Sequence, residues 1–162
     1  MARMNWTVTP EPFDSPDAYA LRRAYYDEVA SRYWQRPATT QEVDEGLTGD
    51  GVEELASPTG EFVVGRHGGG EPASCGGVRL LDPVTAELTR VYTRPEKRGT
   101  GGGRALMTAL EDAARQLGAT KMVLNTRLDL VEARGLYVRH GYREIPAYTT
   151  GPYMDIWYGK DL

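Results

Sequence analysis

The sequence predicts a single α/β domain spanning residues 1–162, built on a mixed, mostly antiparallel central sheet of about six to seven strands flanked by about four helices. Three observations carry this expectation. Three β-prone runs, 61–66, 73–81 and 86–93, follow one another across short turn-forming stretches, as in an antiparallel meander. A helix-period run over 102–117 then separates the last of them from a further β-prone run at 121–126, so that connection is a crossover to a parallel neighbour. The chain has 162 residues, 40% hydrophobic and 26% charged, with no repeat or linker to divide it.

Each element has a local reason. Trp6 to Thr9 is β-prone and is ended by Pro10-Glu11-Pro12. Ser15 stands as a helix cap before Pro16, and Leu21, Tyr25, Val29 and Tyr33 recur at the spacing of one helical face through Trp34. Thr39 opens a second helix that runs to about Leu47. Gly49-Asp50-Gly51 and Ser57-Pro58-Thr59-Gly60 break the chain before the first strand of the meander. Its two turns are His67 to Pro72 and Asp82 to Thr85. The helix over 102–117 presents Leu106, Leu110, Ala113 and Leu117 on one face and stops at Gly118. A shorter helix covers about Val131 to His140 and ends at Gly141. The last strands are expected at Tyr142–Ile145 and Tyr153–Tyr158, across a tyrosine-rich loop.

Composition excludes several classes. A net charge of −4 and a pI of about 5.3 argue against a general nucleic-acid binder and suit a cationic substrate. The lone Cys75 gives neither an internal disulfide nor a zinc cluster, and it reads as a buried strand residue. Met1 to Trp6 holds no apolar signal segment and no run is long enough to span a membrane, so a soluble cytoplasmic protein is expected.

The stretch Arg94 to Leu106 carries the chemistry. A strand feeds a loop with Gly99, Gly101, Gly102 and Gly103, and a helix starts there. Glycines let backbone N–H groups approach a ligand, and a helix N-terminus adds unpaired donors and partial positive charge, so the place suits phosphate. A dinucleotide fingerprint fails because Arg104 or Leu106 stands where glycine is required, and a P-loop fails at Arg104 and Ala105. The pattern that fits is Arg98-x-x-Gly101-x-Gly103 between strand and helix.

Here the chain resembles the GNAT superfamily of N-acetyltransferases, whose members hold the pyrophosphate of acetyl-CoA on such a loop. Glu87 to Pro95 is similar to the family's fourth strand, and Leu136-Tyr137-Val138-Arg139-His140-Gly141-Tyr142 to its Leu-Tyr-x-x-x-Gly-Phe/Tyr segment. The resemblance implies a GNAT fold, acetyl-CoA as co-substrate, no metal, and an amine acceptor. It implies that the backbone of Val91, Tyr92 and Thr93 pairs with the pantetheine arm. It places the pyrophosphate on Arg98 and on the N–H groups of Gly99, Thr100, Gly101, Gly102 and Gly103. Arg104 either reaches a phosphate or is solvated. The family often has an asparagine where Leu130 stands, so Asn125 is the candidate for that pantetheine contact, or else a polar residue ending a strand.

For the reaction, the resemblance implies that Tyr137 donates a proton to the departing thiolate, the alternative being a core aromatic. Glu87 is the candidate base for the amine, or else the partner of an arginine in a structural ion pair; a local β-bulge in its strand would decide its facing. His67 reads as solvated and His140 as a helix-end cation. Tyr26, Tyr33, Trp34 and Arg36, and also Tyr148 and Tyr153, are candidates for an acceptor wall. The function expected is acetyl transfer to a primary amine of a small molecule. The alternatives are protein N-terminal or lysine acetylation and a non-catalytic acyl-CoA-binding regulatory domain. No nucleic-acid or membrane partner is expected, and the protein is expected to be a monomer or homodimer.

Overall fold

The computed structural model describes residues 5–162; the expectation about the first residues falls largely on 1–4 and lies outside it. Among the described residues, seven strands form one sheet in the order β1-β2-β3-β4-β5-β7-β6, with four α-helices. Strands β1 (Trp6–Pro10), β2 (Gly60–His67), β3 (Pro72–Asp82) and β4 (Thr85–Thr93) are antiparallel neighbours. Helix α3 (Gly102–Gln116) then carries the chain across to β5 (Lys121–Thr126), the sheet's one parallel pairing among the described residues. Helix α4 (Val131–Arg139) precedes β6 (Arg143–Glu144) and β7 (Ile156–Asp161), and β7 runs antiparallel between β5 and β6.

The pleat divides the apolar residues between two cores. Phe62 and Val64 of β2 face α1 (Pro16–Trp34) with Ala18, Leu21, Cys75 and Tyr92. Val63 faces the other way, towards α3 and α4, with Val78, Leu88, Leu106, Leu110 and Tyr137. Ser15 caps α1 through its Oγ, which accepts from the Ala18 N–H at 3.0 Å. Thr39 and Glu42 form a reciprocal capping box at the start of α2 (Thr40–Leu47).

The C-terminal strands differ from expectation. The run at 142–145 keeps only two paired residues, and the last strand begins at Ile156 rather than Tyr153. Tyr153 follows Pro152 and adopts φ 70°, outside the extended region that a regularly paired strand requires. Its place in the ladder is taken by Ile156, paired with Thr126. No helix among the described residues is long and apolar enough to cross a membrane.

Candidate active site

Strands β4 and β5 begin as neighbours and then part. Thr85–Glu87 pair with Lys121–Val123, and there the ladder stops. Beyond it, Leu124–Thr126 pair only with β7, while β4 continues along β3. The cause lies in β4. Cys75 faces Tyr92 and Gly77 faces Thr89, so Arg90 and Val91 together oppose the single residue Gly76. Arg90 adopts φ 56°, and a bulge of this kind bends and twists its strand. It also shifts the side-chain parity: Ala86 and Leu88 lie in the α3-side core, and past the bulge it is Val91 that packs there and Tyr92 that faces α1.

The gap opens a cavity of about 630 Å³ between α1, β4, the glycine loop and α4. Val91, Tyr92 and Thr93 line one wall, Gly99, Gly101, Gly102, Gly103 and Arg104 one end, and Asn125 and Tyr137 the middle. The Arg94 N–H bonds the Ala73 carbonyl at 2.8 Å, so by antiparallel alternation the backbone groups of Thr93 face the gap. The Thr93 carbonyl accepts there from Arg98 Nε at 3.0 Å.

The loop glycines serve two purposes. Gly99 and Gly101 adopt φ 77° and 91°, conformations costly for other residues. At Gly102 a Cβ would lie 2.4 Å from Trp6, and at Gly103 one would lie 3.0 Å from Leu136. The start of α3 is therefore wedged between β1 and α4. No side chain caps α3, so its first N–H groups remain available to an anion. Thr100 is not among the residues that line the cavity, and its hydroxyl is engaged elsewhere, accepting from Trp6 Nε1 at 3.0 Å and donating to the Lys97 carbonyl at 2.6 Å. Arg98 lines the cavity but is engaged, its guanidinium donating to both oxygens of Glu28 at 2.7 and 2.8 Å.

Tyr137 is buried against Tyr142 and Tyr158, ring centroids 6.2 Å away in each case, and burial raises its pKa above the ordinary phenol value. Glu87 also lines the cavity and is buried. Its Oε1 accepts from Arg79 at 2.9 and 3.1 Å, and its Oε2 accepts from the Tyr148 hydroxyl at 2.6 Å. The Tyr148 oxygen in turn accepts from Asn125 Nδ2 at 3.4 Å. Glu87 thus makes the arginine ion pair read as one of its two alternatives, and it also borders the cavity.

Other expectations are rearranged. Tyr26 donates to Asp50 at 2.9 Å, and Tyr33, Trp34 and Tyr153 form an exposed aromatic group. The α1 residues that line the cavity are instead Tyr25, Glu28, Val29 and Arg32, of which Tyr25 and Val29 belong to the helical face read from the sequence. His67 is not simply solvated, since its ring lies 5.0 Å from that of Trp6. His140 stands beside Glu111, and burial lowers its pKa. Cys75 is buried, and burial pushes its thiol up to about 12. Arg90 and the cross-cavity ion pair Arg32–Glu132, at 2.8 Å, escaped the sequence reading.

The chain matches the model of the acetyltransferase (GNAT) family over residues 15–142. It belongs to that family. This GNAT chain is 31% identical over 148 residues to an uncharacterized N-acetyltransferase of Schizosaccharomyces pombe, covering 91% of the chain and 87% of the relative. A Klebsiella pneumoniae structure, described as a candidate acyl-CoA N-acyltransferase, is 28% identical with a TM-score of 0.72 over 97% of both chains. A GNAT structure from Elizabethkingia anophelis with acetyl-CoA bound is 19% identical, covers 98% of this chain and 99% of its own, and shares the fold with a TM-score of 0.63. The protein is thus a GNAT-fold N-acetyltransferase.

Proposed function

We propose that residues 1–162 act as one domain that transfers the acetyl group of acetyl-CoA to a primary amine of a small molecule. One observation carries this reading: the parting of β4 from β5 joins an uncapped, glycine-rich helix start to a buried phenol and a buried carboxylate in one continuous cavity. The glycine loop and Arg104 would take the pyrophosphate, with Arg98 joining them by exchanging Glu28 for phosphate oxygens. The stretch Val91 to Thr93, with the backbone of Thr93 facing the gap, would take the amides of the pantetheine arm as an added strand does, with Asn125 beside it.

In the reaction, the neutral amine nitrogen bonds to the thioester carbon, and the carbon–sulfur bond breaks. Glu87, directly or through water, receives the proton the amine must lose. Arg79 and Tyr148 hold that carboxylate in place. Complete proton transfer from Tyr137 runs uphill, because ordinary values are about 10 for a phenol and about 8.5 for a thiol, and burial widens the gap. Its role is therefore to donate a hydrogen bond that steadies the departing sulfur while solvent supplies the final proton.

The test is thiol release from acetyl-CoA across amino acids, polyamines, aminoglycosides and short peptides, alongside the melting temperature with and without acetyl-CoA. Turnover of a small amine, diminished in Tyr137→Phe, is the expected result. A melting temperature unmoved by acetyl-CoA, with no turnover, would overturn the reading. Turnover of peptides alone would reassign the acceptor to proteins.

A further inference from the structure

The carboxylates that line the cavity each have a cationic partner: Glu28 has Arg98, Glu132 has Arg32, and Glu87 has Arg79. The sharing of partners along β4, however, is unequal. At Glu87, the single guanidinium of Arg79 serves a second carboxylate, Glu54. That cluster carries one surplus negative charge. Three residues further on, Arg90 and Arg22 share the single carboxylate of Asp50, at 3.4 and 3.8 Å. The side chains of Arg22, Asp50 and Arg90 are 7%, 7% and 11% exposed, so this cluster holds one surplus positive charge away from water.

Asp50 has little left to give. Its Oδ2 also accepts from the Tyr26 hydroxyl at 2.9 Å, and its Oδ1 accepts from the Val52 N–H at 3.2 Å. Backbone carbonyls take one donor of each arginine, Asp50 O from Arg90 Nη2 and Phe13 O from Arg22 Nη1, but the Nε atoms of both are buried without a partner, and Arg90 Nη1 makes only a long contact, 3.3 Å, to Thr89 Oγ1. A buried cation short of acceptors is unfavourable until an anion reaches it. The neighbouring Arg127 does not share this condition, since its Nε and Nη2 meet Asp129 and its Nη1 meets the Val29 carbonyl, each at 2.8 Å.

We infer that the acceptor is a zwitterion, a free amino acid whose amine sits at the Glu87 cluster and whose carboxylate pairs with Arg90 and the Thr89 hydroxyl. This inference rests on the proposed acetyl transfer and narrows its acceptor. The local imbalance outweighs the net charge of −4, because the field inside a cavity is set by the nearest unscreened groups. A polyamine of the same length would bring its second ammonium against Arg90. An amino acid meets a charge of opposite sign at each end.

The experiment pairs each of several amino acids with the amine left on removing its carboxylate: lysine with cadaverine, phenylalanine with phenethylamine, glycine with methylamine. Thiol release is measured at saturating acetyl-CoA, followed by the twenty standard amino acids in turn. Wild-type protein is expected to favour at least one amino acid over its decarboxylated partner by about tenfold or more in kcat/KM. In Arg90→Gln that ratio falls towards one through a raised KM for the amino acid, and Arg90→Lys restores part of it. The wild-type ratio needs no variant, so a variant that fails to fold leaves the test intact. Equal or faster turnover of the decarboxylated amines overturns the inference alone, as does silence of every amino acid while acetyl-CoA still raises the melting temperature. Silence together with no thermal response to acetyl-CoA overturns the proposed function beneath it.

Discussion

Two glutamates in this protein are held in nearly the same way. Glu87 on β4 accepts from Arg79 at 2.9 Å and Tyr148 at 2.6 Å, and Glu111 on α3 accepts from Lys160 at 3.0 Å and Tyr142 at 2.9 Å. They are 7% and 4% exposed. What separates them is what lies on the remaining side. Glu87 borders the cavity, whereas Glu111 is enclosed between α3, β7 and the end of α4, with His140 at 3.8 Å and Arg115 at 3.9 Å. A buried carboxylate with a cation and a phenol is thus no signature of catalysis. It becomes a candidate for chemistry where the sheet opens beside it.

Glu111→Ala breaks the enclosed cluster and leaves Lys160 without its charge partner. We expect a loss of about 1–3 kcal/mol in denaturant unfolding, chiefly from leaving the buried Tyr142 hydroxyl without its acceptor, since Lys160 is 24% exposed and keeps the His140 carbonyl, with turnover per folded molecule unchanged. A folded Glu111→Ala protein that had lost turnover would break the distinction. Glu87→Gln tests the other side. The amide still accepts from Arg79 or Tyr148, so stability should change by no more than about 1 kcal/mol. Turnover should fall about 100-fold, or about 2.7 kcal/mol of barrier.

A smaller effect is expected from Tyr137→Phe. Steady-state kinetics should show kcat lowered roughly tenfold, about 1.4 kcal/mol. The unfolding midpoint should barely move, because the substitution preserves the ring that packs on Tyr142 and Tyr158. Glu28→Gln sharpens the comparison from the cofactor end. Its pairing with Arg98 is partly exposed, 35% and 25% for the two side chains, which keeps its strength within about 0.2–1 kcal/mol. Releasing Arg98 should lower the KM for acetyl-CoA about threefold; a rise instead would show that Glu28 positions Arg98 rather than competing for it.

The fold was largely legible because its punctuation is local. Ser15 and Thr39 form the caps their positions predict, and the meander follows from turns at 67–72 and 82–85. The final strands were misplaced by a few residues because Tyr153 to Tyr158 looks uniformly β-prone, and only the register against β5 selects Ile156 as the start. The glycine loop and Tyr137 were visible as motifs. The partners that give the site its charges were not. Glu28 and Arg98 lie 70 positions apart, and Arg90 reaches Asp50 across 40. No propensity marks Arg90 as a residue of positive φ, so the bulge could be expected somewhere in β4 but not assigned to a position. Glu111 was invisible for the same reason: its partners Tyr142 and Lys160 come from distant parts of the chain.

The bulge at Arg90 behaves like a dislocation in a crystal. The crevice exists because β4 carries one residue more than β3 can match there. Deleting that residue would bring the two strands back into step and remove the bend that carries β4 away from β5. The sheet could then close along its length, gaining backbone hydrogen bonds and losing its cavity. The catalytic capacity of this chain is in that sense a property of count rather than of composition. Point substitutions can blunt the residues that line the crevice, but only a change in length can heal it.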